Sequence, residues 1–317
     1  MESLHAKRAA IIYNPVARGL SRRLHLLQRT TALLASEGIE ARLVSTNGPG
    51  TAGQQARQLI ESGCDLIIVA GGDGTINEVA NGMLRTRVPL AILPGGTANV
   101  LAHEIRMPMN LQRAAMQIGS LRPCRIALGR AQVGHSEGRC FLSMAGAGLD
   151  AAIVANLNYD LKAATGKFAY YAAGFSHLFR PEPEFEVTVD GKRFEASFAL
   201  VSRVRNYGGD LEIARGASLL RDDFQVVLFR GTVRVHYLPY LFGVVLKRAD
   251  RMKGCTVMHA RSVICHAHDP QVYVQLDGEL AGTLPIKVEI VPDALTLLAP
   301  PDYVAREQSY VAVPAYA

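Results

Sequence analysis

A chain of 317 residues, 49% hydrophobic and 20% charged, has room for two packed domains and the composition of an ordinary globular protein rather than a disordered one. Its formal net charge of +6 and sequence pI near 9.1 draw it toward acidic surfaces, anionic lipid headgroups and nucleic acid alike. Five cysteines, Cys64, Cys124, Cys140, Cys255 and Cys265, show no CxxC spacing, which argues against a disulfide framework or a zinc site and for reduced thiols.

From Lys7-Arg8 the chain passes directly into Ala9-Ala10-Ile11-Ile12-Tyr13, a first strand too short for the apolar core of a secretory signal, so a cytoplasmic protein is expected. Its end turns through Asn14-Pro15-Val16-Ala17-Arg18-Gly19. Leu20 to Ser36 carries Leu24, Leu27, Leu33 and Leu34 among basic residues, an amphipathic helix ending near Gly38. Ile39 to Ser45 is the next strand, with Thr46 at its end, and Ala52 to Ser62 the next helix. Leu66 to Ala70 suits a strand buried on both faces; it stops at GGDGT and continues as a helix from near Ile76 to Leu84. Leu90 to Leu93 then runs into Pro94-Gly95-Gly96-Thr97-Ala98-Asn99 before a helix beginning at Val100. Such βα alternation predicts a Rossmann-like parallel sheet over residues 1–125, with Arg122-Pro123 as the crossing point to a second domain.

The turn at Gly71-Gly72-Asp73-Gly74-Thr75 has the makings of a phosphate site. Its glycines permit positive φ or close approach to a ligand, the helix after it aims unpaired N–H groups at the turn, Thr75 adds a hydroxyl, and Asp73 offers a carboxylate suited to a metal. It is neither GxGxxG nor GxxxxGK[ST]. Taken singly, it is as consistent with a tight strand-to-helix turn. The PGGTAN loop shifts the balance, because two such strand ends in one parallel sheet face the crevice where open α/β folds bind ligands.

Beyond Cys124 the pattern changes to short strands: Phe185 to Val189, Phe194 to Val201, Phe224 to Phe229, Val272 to Leu276 and Ile286 to Val291. Asp190-Gly191 is a two-residue hairpin signal. A β-sandwich over residues 126–301 is expected, with helical insertions around 152–180 and 235–252, and a loose tail over 302–317. No apolar run approaches the ~20 residues that cross a bilayer. The longest, Tyr237 to Leu246, is followed by Lys247, Arg248, Arg251 and Lys253. Without Trp or an interleaving of aromatic and basic residues, nucleic acid is disfavoured and peripheral binding to an anionic membrane is expected. His266-x-His268-Asp269 lacks further ligands at a metal spacing and reads as a surface cluster. Nothing in the sequence speaks to oligomeric state.

Strand plus NPxxxG, strand plus GGDGT and strand plus GGTAN, in that order, resemble the catalytic domain of the diacylglycerol kinase family, which includes bacterial lipid kinases and sphingosine kinases. Phe141 to Ala151, Gly166 to Tyr171, Gly208-Gly209, Ala217 to Asp223 and Gln275 to Glu279 are similar to later family segments in the same order. The resemblance implies an ATP- and Mg2+-dependent kinase acting on a lipid at the membrane surface. It implies that Asn14, Thr46, Gly72, Asp73, Gly74, Thr75, Asn77, Glu78 and Thr97 contact ATP or order its loops, with Asp73 meeting the catalytic magnesium. For Glu78 an ordinary carboxylate in a helix's first turn is as consistent. Asp277-Gly278-Glu279 is by itself a common turn; if the strand continued through it, both carboxylates would share a face. The family places its general base there. Leu219, Asp222 and Phe224 resemble the loop that holds a structural magnesium, although Asp223 stands where the family has glycine. Val100 after Asn99, in place of aspartate, leaves diacylglycerol as the first acceptor among others, including phosphatidylglycerol, sphingoid bases and prenols. A nucleotide kinase of the NAD-kinase type and a non-catalytic lipid-binding relative are the alternatives.

Overall fold

The structure, a computed structural model, describes residues 8–17, 20, 24–149, 151–152, 183–207, 211–231, 254–267 and 272–311. The sequence segments at Asp150, 166–171, Gly208-Gly209, 237–253 and His268-Asp269 lie outside them. Two compact units form, one from Met1–Ala127 with Pro292–Ala317, the other from Leu128–Val291.

The first half of the chain runs β1 (Arg8–Tyr13), α1 (Leu24–Ser36), β2 (Glu40–Ser45), α2 (Ala52–Glu61), β3 (Leu66–Gly71), α3 (Asp73–Gly82), β4 (Pro89–Pro94), α4 (Val100–Glu104) and α5 (Leu111–Met116). Next come β5 (Arg122–Val133), β6 (Arg139–Phe141), β7 (Met144–Gly148), β8 (Phe185–Val189), β9 (Lys192–Ala196) and β10 (Phe198–Ser202). The remainder is β11 (Asn206–Tyr207), β12 (Leu211–Glu212), β13 (Phe224–Phe229), β14 (Cys255–Ala260), β15 (Ser262–His266), β16 (Tyr273–Leu276), β17 (Glu279–Thr283), β18 (Ile286–Ala299) and α6 (Pro301–Val311).

In the first unit the strands lie β2-β1-β3-β4-β18, each neighbour parallel to the next. β3 is buried at every position, as a run of Leu, Ile and Val with helices on both faces requires. The order reverses between β1 and β3, the switch point at which ligands bind beyond the carboxyl ends of the strands. α1 presents Leu27, Thr30 and Leu34 to the sheet at helical spacing.

Two expectations about the borders are corrected. The chain passes to the second unit after Ala127 rather than at Arg122-Pro123, and it does so inside β5, a strand that runs from Arg122 to Val133. The tail is not loose: α6 buries Tyr303 at 1% and Glu307 at 0% exposure, with Arg306 pairing Glu307 at 3.0 Å. It comes after the second half of β18, which lies beside β4 through Thr296 and Leu297. Arg125 binds that half too, meeting the Asp293 carboxylate at 2.6 Å and the Thr296 hydroxyl at 2.9 Å. Tyr303→Ala is expected to cost about 3–5 kcal/mol of unfolding free energy, read from urea denaturation.

The second unit is a β-sandwich. One sheet orders β14-β13-β10-β7-β16-β17, all antiparallel; the other contains the first half of β18 with β15, β8 and β9, while β5 pairs with β18 and β6. Phe141, Phe185, Phe224, Val226, Val274 and Val288 meet in the core between them. The Asp190-Gly191 hairpin forms with φ of 45° and 84°, both positive as a type I′ turn requires. The single strand expected over 194–201 is in fact two, β9 and β10, in different sheets. Ser197, fully buried between them, donates its N–H to Phe229 O at 2.9 Å where the chain changes sheet.

Candidate active site

In the first unit the candidate residues gather at the ends of β1, β3 and β4. Asn14 N donates to Ala70 O at 3.2 Å and Gly95 N to Gly71 O at 2.9 Å, so the three strand ends are joined by backbone bonds past the last paired residues. α3 starts at Asp73 rather than near Ile76, with Gly72 as its N-cap in an extended conformation. Asp73, Gly74 and Thr75 therefore form the first turn, where N–H groups lack intrahelical acceptors and the positive end of the helix dipole lies. The Asn14 amide reaches the Thr75 hydroxyl at 3.4 Å, and Asp73 Oδ1 lies 3.4 Å from Leu101 N at the start of α4.

The glycines are there for approach, not for positive φ. A Cβ on Gly96 would stand 2.5 Å from Gly72 Cα, and one on Gly72 3.3 Å from Gly96 Cα, so the GGDGT and GGTAN backbones pass each other without room for a methyl group. Gly96→Ala is expected to cost about 1–3 kcal/mol, measured by denaturation. Asn99, to which the family resemblance gives no role, clasps the second loop: Oδ1 accepts from Gly96 N at 2.8 Å and Nδ2 donates to Gly96 O at 3.0 Å. Its left-handed φ of 48° is a conformation asparagine tolerates, and an Asn closing a Gly-Gly-Thr turn is the signal that marks it.

Thr97 is exposed on this loop and Thr46 is half-buried after β2, its N–H bonded to Tyr13 O at 2.9 Å. Asn77 accepts a bond from the Asn81 amide at 3.1 Å, one turn along α3. Glu78 is neither an idle surface carboxylate nor aimed at the turn. Its Oε1 accepts from Gly50 N at 2.9 Å and its Oε2 from Ala52 N at 3.1 Å, tying α3 to the 48–52 loop that comes after Thr46.

In the second unit the strand does not continue through Asp277-Gly278-Glu279. β16 ends at Leu276 and β17 begins at Glu279, with φ of 50° at Asp277 and 81° at Gly278 in a two-residue turn. The two carboxylates accordingly face different surroundings. Asp277 accepts from Leu142 N at 2.9 Å, Ser143 N at 2.8 Å and Met144 N at 3.0 Å, which occupies both oxygens and locks the turn onto the residues before β7. Glu279 is exposed and stands 3.5 Å from Arg139. Of the pair, Glu279 has its carboxylate open to solvent beside Arg139, whereas that of Asp277 is taken up by backbone N–H groups.

The loop carrying Leu219, Asp222 and Phe224 does not fit a structural magnesium. The Leu219 carbonyl accepts a 2.7 Å bond from the guanidinium of Arg203, the Asp222 side chain is exposed, and Phe224 is already the first residue of β13, paired with Ala260. Asp223 turns to Arg221, whose Nε lies 2.8 Å away, and to His259 at 3.3 Å. Burial raises the Asp223 carboxyl, but those two partners prevail and hold it well below the usual carboxylate range. Among the described residues no three His, Cys, Asp or Glu side chains cluster as metal ligands. No described helix is long and apolar enough to cross a membrane, which says nothing of strands.

Residues 8–131 match the diacylglycerol kinase catalytic domain family, and residues 143–299 the YegS C-terminal NAD kinase beta sandwich-like domain. The chain is similar to a diacylglycerol kinase of Bacillus subtilis, 29% identical over 288 residues that cover 88% of this chain and 92% of that one. It is similar to the Citrobacter koseri protein named "Probable lipid kinase YegS-like", 29% identical with 87% and 92% covered. Among solved structures, a diacylglycerol kinase from Bacillus anthracis superposes with a TM-score of 0.77 at 26% identity, covering 94% of this chain and 99% of that chain.

Proposed function

Because the chain belongs to the diacylglycerol kinase catalytic-domain family of lipid kinases, whose activity implies ATP as donor, we propose that it phosphorylates the free hydroxyl of a glycerolipid, with diacylglycerol the first acceptor. The observation that carries this reading is the pair of closely apposed glycine loops at the ends of β3 and β4, beside a helix N-terminus whose first turn holds Asp73 and Thr75. Backbone N–H groups and the hydroxyls of Thr75 and Thr97 are suited to phosphate oxygens.

Asp73 fits a magnesium ion of the kind that is held by one carboxylate, water and the nucleotide's own phosphates, a donor set that needs no cluster of acidic side chains. When bound, that ion neutralises charge developing on the transferring group. Asn14 and Glu78 keep their loops in place, Glu78 acting at a distance through Gly50 and Ala52. Glu279 takes the proton of the acceptor hydroxyl as the phosphoryl group arrives, and Asp277 fixes the turn that carries it. The formal charge of +6 supports attraction to anionic membrane surfaces, where such an acceptor resides.

The test is phosphorylation from radiolabelled ATP and Mg2+ in mixed micelles of diacylglycerol, phosphatidylglycerol, sphingosine or a prenol, with NAD as a soluble control. Label in phosphatidic acid is expected. Label confined to another lipid would reject diacylglycerol, and label in NADP would reject a lipid acceptor altogether.

A further inference from the structure

The 218–224 loop carries a cation of its own. Arg203 comes directly after β10, is 0% exposed, and sends its guanidinium into the loop: Nη2 donates to Leu219 O at 2.7 Å, and Nη1 donates to Arg221 O at 2.8 Å and to Asp223 O. Three carbonyls of one short segment thus converge on one positive group. This is the arrangement that a hard cation imposes on a loop, with the planar fork of a guanidinium supplying directed donors instead. The carboxylates are accounted for as well. Asp223 is held by Arg221 and His259, and Asp222 points to solvent.

We propose that Arg203 is the built-in cation that organises the 218–224 loop, and that this loop takes up no magnesium. The Leu219 carbonyl, one of the oxygens that the family resemblance assigns to an ion, already accepts from a buried positive charge, and a divalent ion brought to the same oxygen would be repelled at close range in a poorly screened place. The Asp223 carboxylate is likewise taken up, by Arg221 and His259, and is not offered to an ion. The arrangement bears on the candidate turn in the same unit. Arg203 N donates to Ser143 O at 2.8 Å, and Ser143 N donates to Asp277 Oδ1 at 2.8 Å, so the residue that braces the loop also braces the peptide on which the Asp277 turn is fastened. None of this depends on which lipid is the acceptor.

Thermal unfolding and Mn2+ binding of the nucleotide-free, full-length protein test the proposal. With EDTA or with millimolar Mg2+ the midpoint is expected to agree within about 1 °C, because an ion that binds only the folded state would raise it. Asp222→Asn is expected to leave the midpoint unchanged. Arg203→Met is expected to lower it by about 5 °C or more, since three inward carbonyls lose their donor. Arg203→Lys, which keeps the charge but not the fork, is expected to fall between the two and serves if the methionine variant does not fold. A Mg2+-dependent rise in the parent that Asp222→Asn abolishes, or a Mn2+ site lost in that variant, would overturn the proposal. So would a parental midpoint retained by Arg203→Met.

Discussion

Asp73→Asn is expected to lower kcat/KM for lipid phosphorylation by about 10³-fold or more, while the thermal midpoint moves by no more than about 2 °C. The substitution keeps the shape of the side chain and an oxygen for the Leu101 N–H that lies 3.4 Å away, so α3 and α4 stay in register. What it removes is the charge. A magnesium ion shared with phosphates draws a large part of its protein affinity from a single carboxylate, and Glu78, the nearest alternative along α3, is committed to Gly50 and Ala52. Steady-state kinetics over a range of Mg2+ concentrations, beside a melting curve, check both halves. Parental turnover in the variant would take the ion away from the GGDGT loop.

The first unit was legible because its physics is local. A strand buried on both faces must be apolar throughout, as β3 is, and a glycine-rich turn at its end is read directly from adjacent residues. The Asp190-Gly191 turn was legible for the same reason, positive φ at two neighbouring positions being written in two residue types. What escaped depends on partners far away. The apolar stretch from Phe194 to Val201 has strand character at either end, and nothing local records that Ser197 sends its two halves to different sheets. The tail from Asp302 was expected to be loose, yet Glu307 is buried with Arg306 beside it. At the site the residue types were visible and the roles were not. Glu78 bonds N–H groups 26 and 28 positions away, and the donors to Asp277 lie 133 to 135 positions away. Arg203 carried no motif at all. Only the folded loop, offering carbonyls at 219, 221 and 223, distinguishes it from any other arginine after a strand.

Glu279→Gln and Asp277→Asn are expected to fail in different ways, and the contrast identifies the base. The Glu279 side chain is exposed, with Arg139 3.5 Å away, so glutamine there disturbs no packing; turnover is expected to fall about 10²–10⁴-fold with the KM for ATP and the melting midpoint near those of the parent. Asp277 differs because its carboxylate is already filled by the N–H groups of Leu142, Ser143 and Met144. An asparagine amide turns one acceptor into a donor that faces a donor. The Asn variant is therefore expected to lose about 1–3 kcal/mol of stability along with turnover, because a buried N–H is left without its acceptor and the turn beneath Glu279 loosens. If proton acceptance belonged to Asp277 instead, Glu279→Gln would retain the rate while Asp277→Asn still lost it. Full rate in both would leave the Asp-Gly-Glu segment a hairpin turn and nothing more.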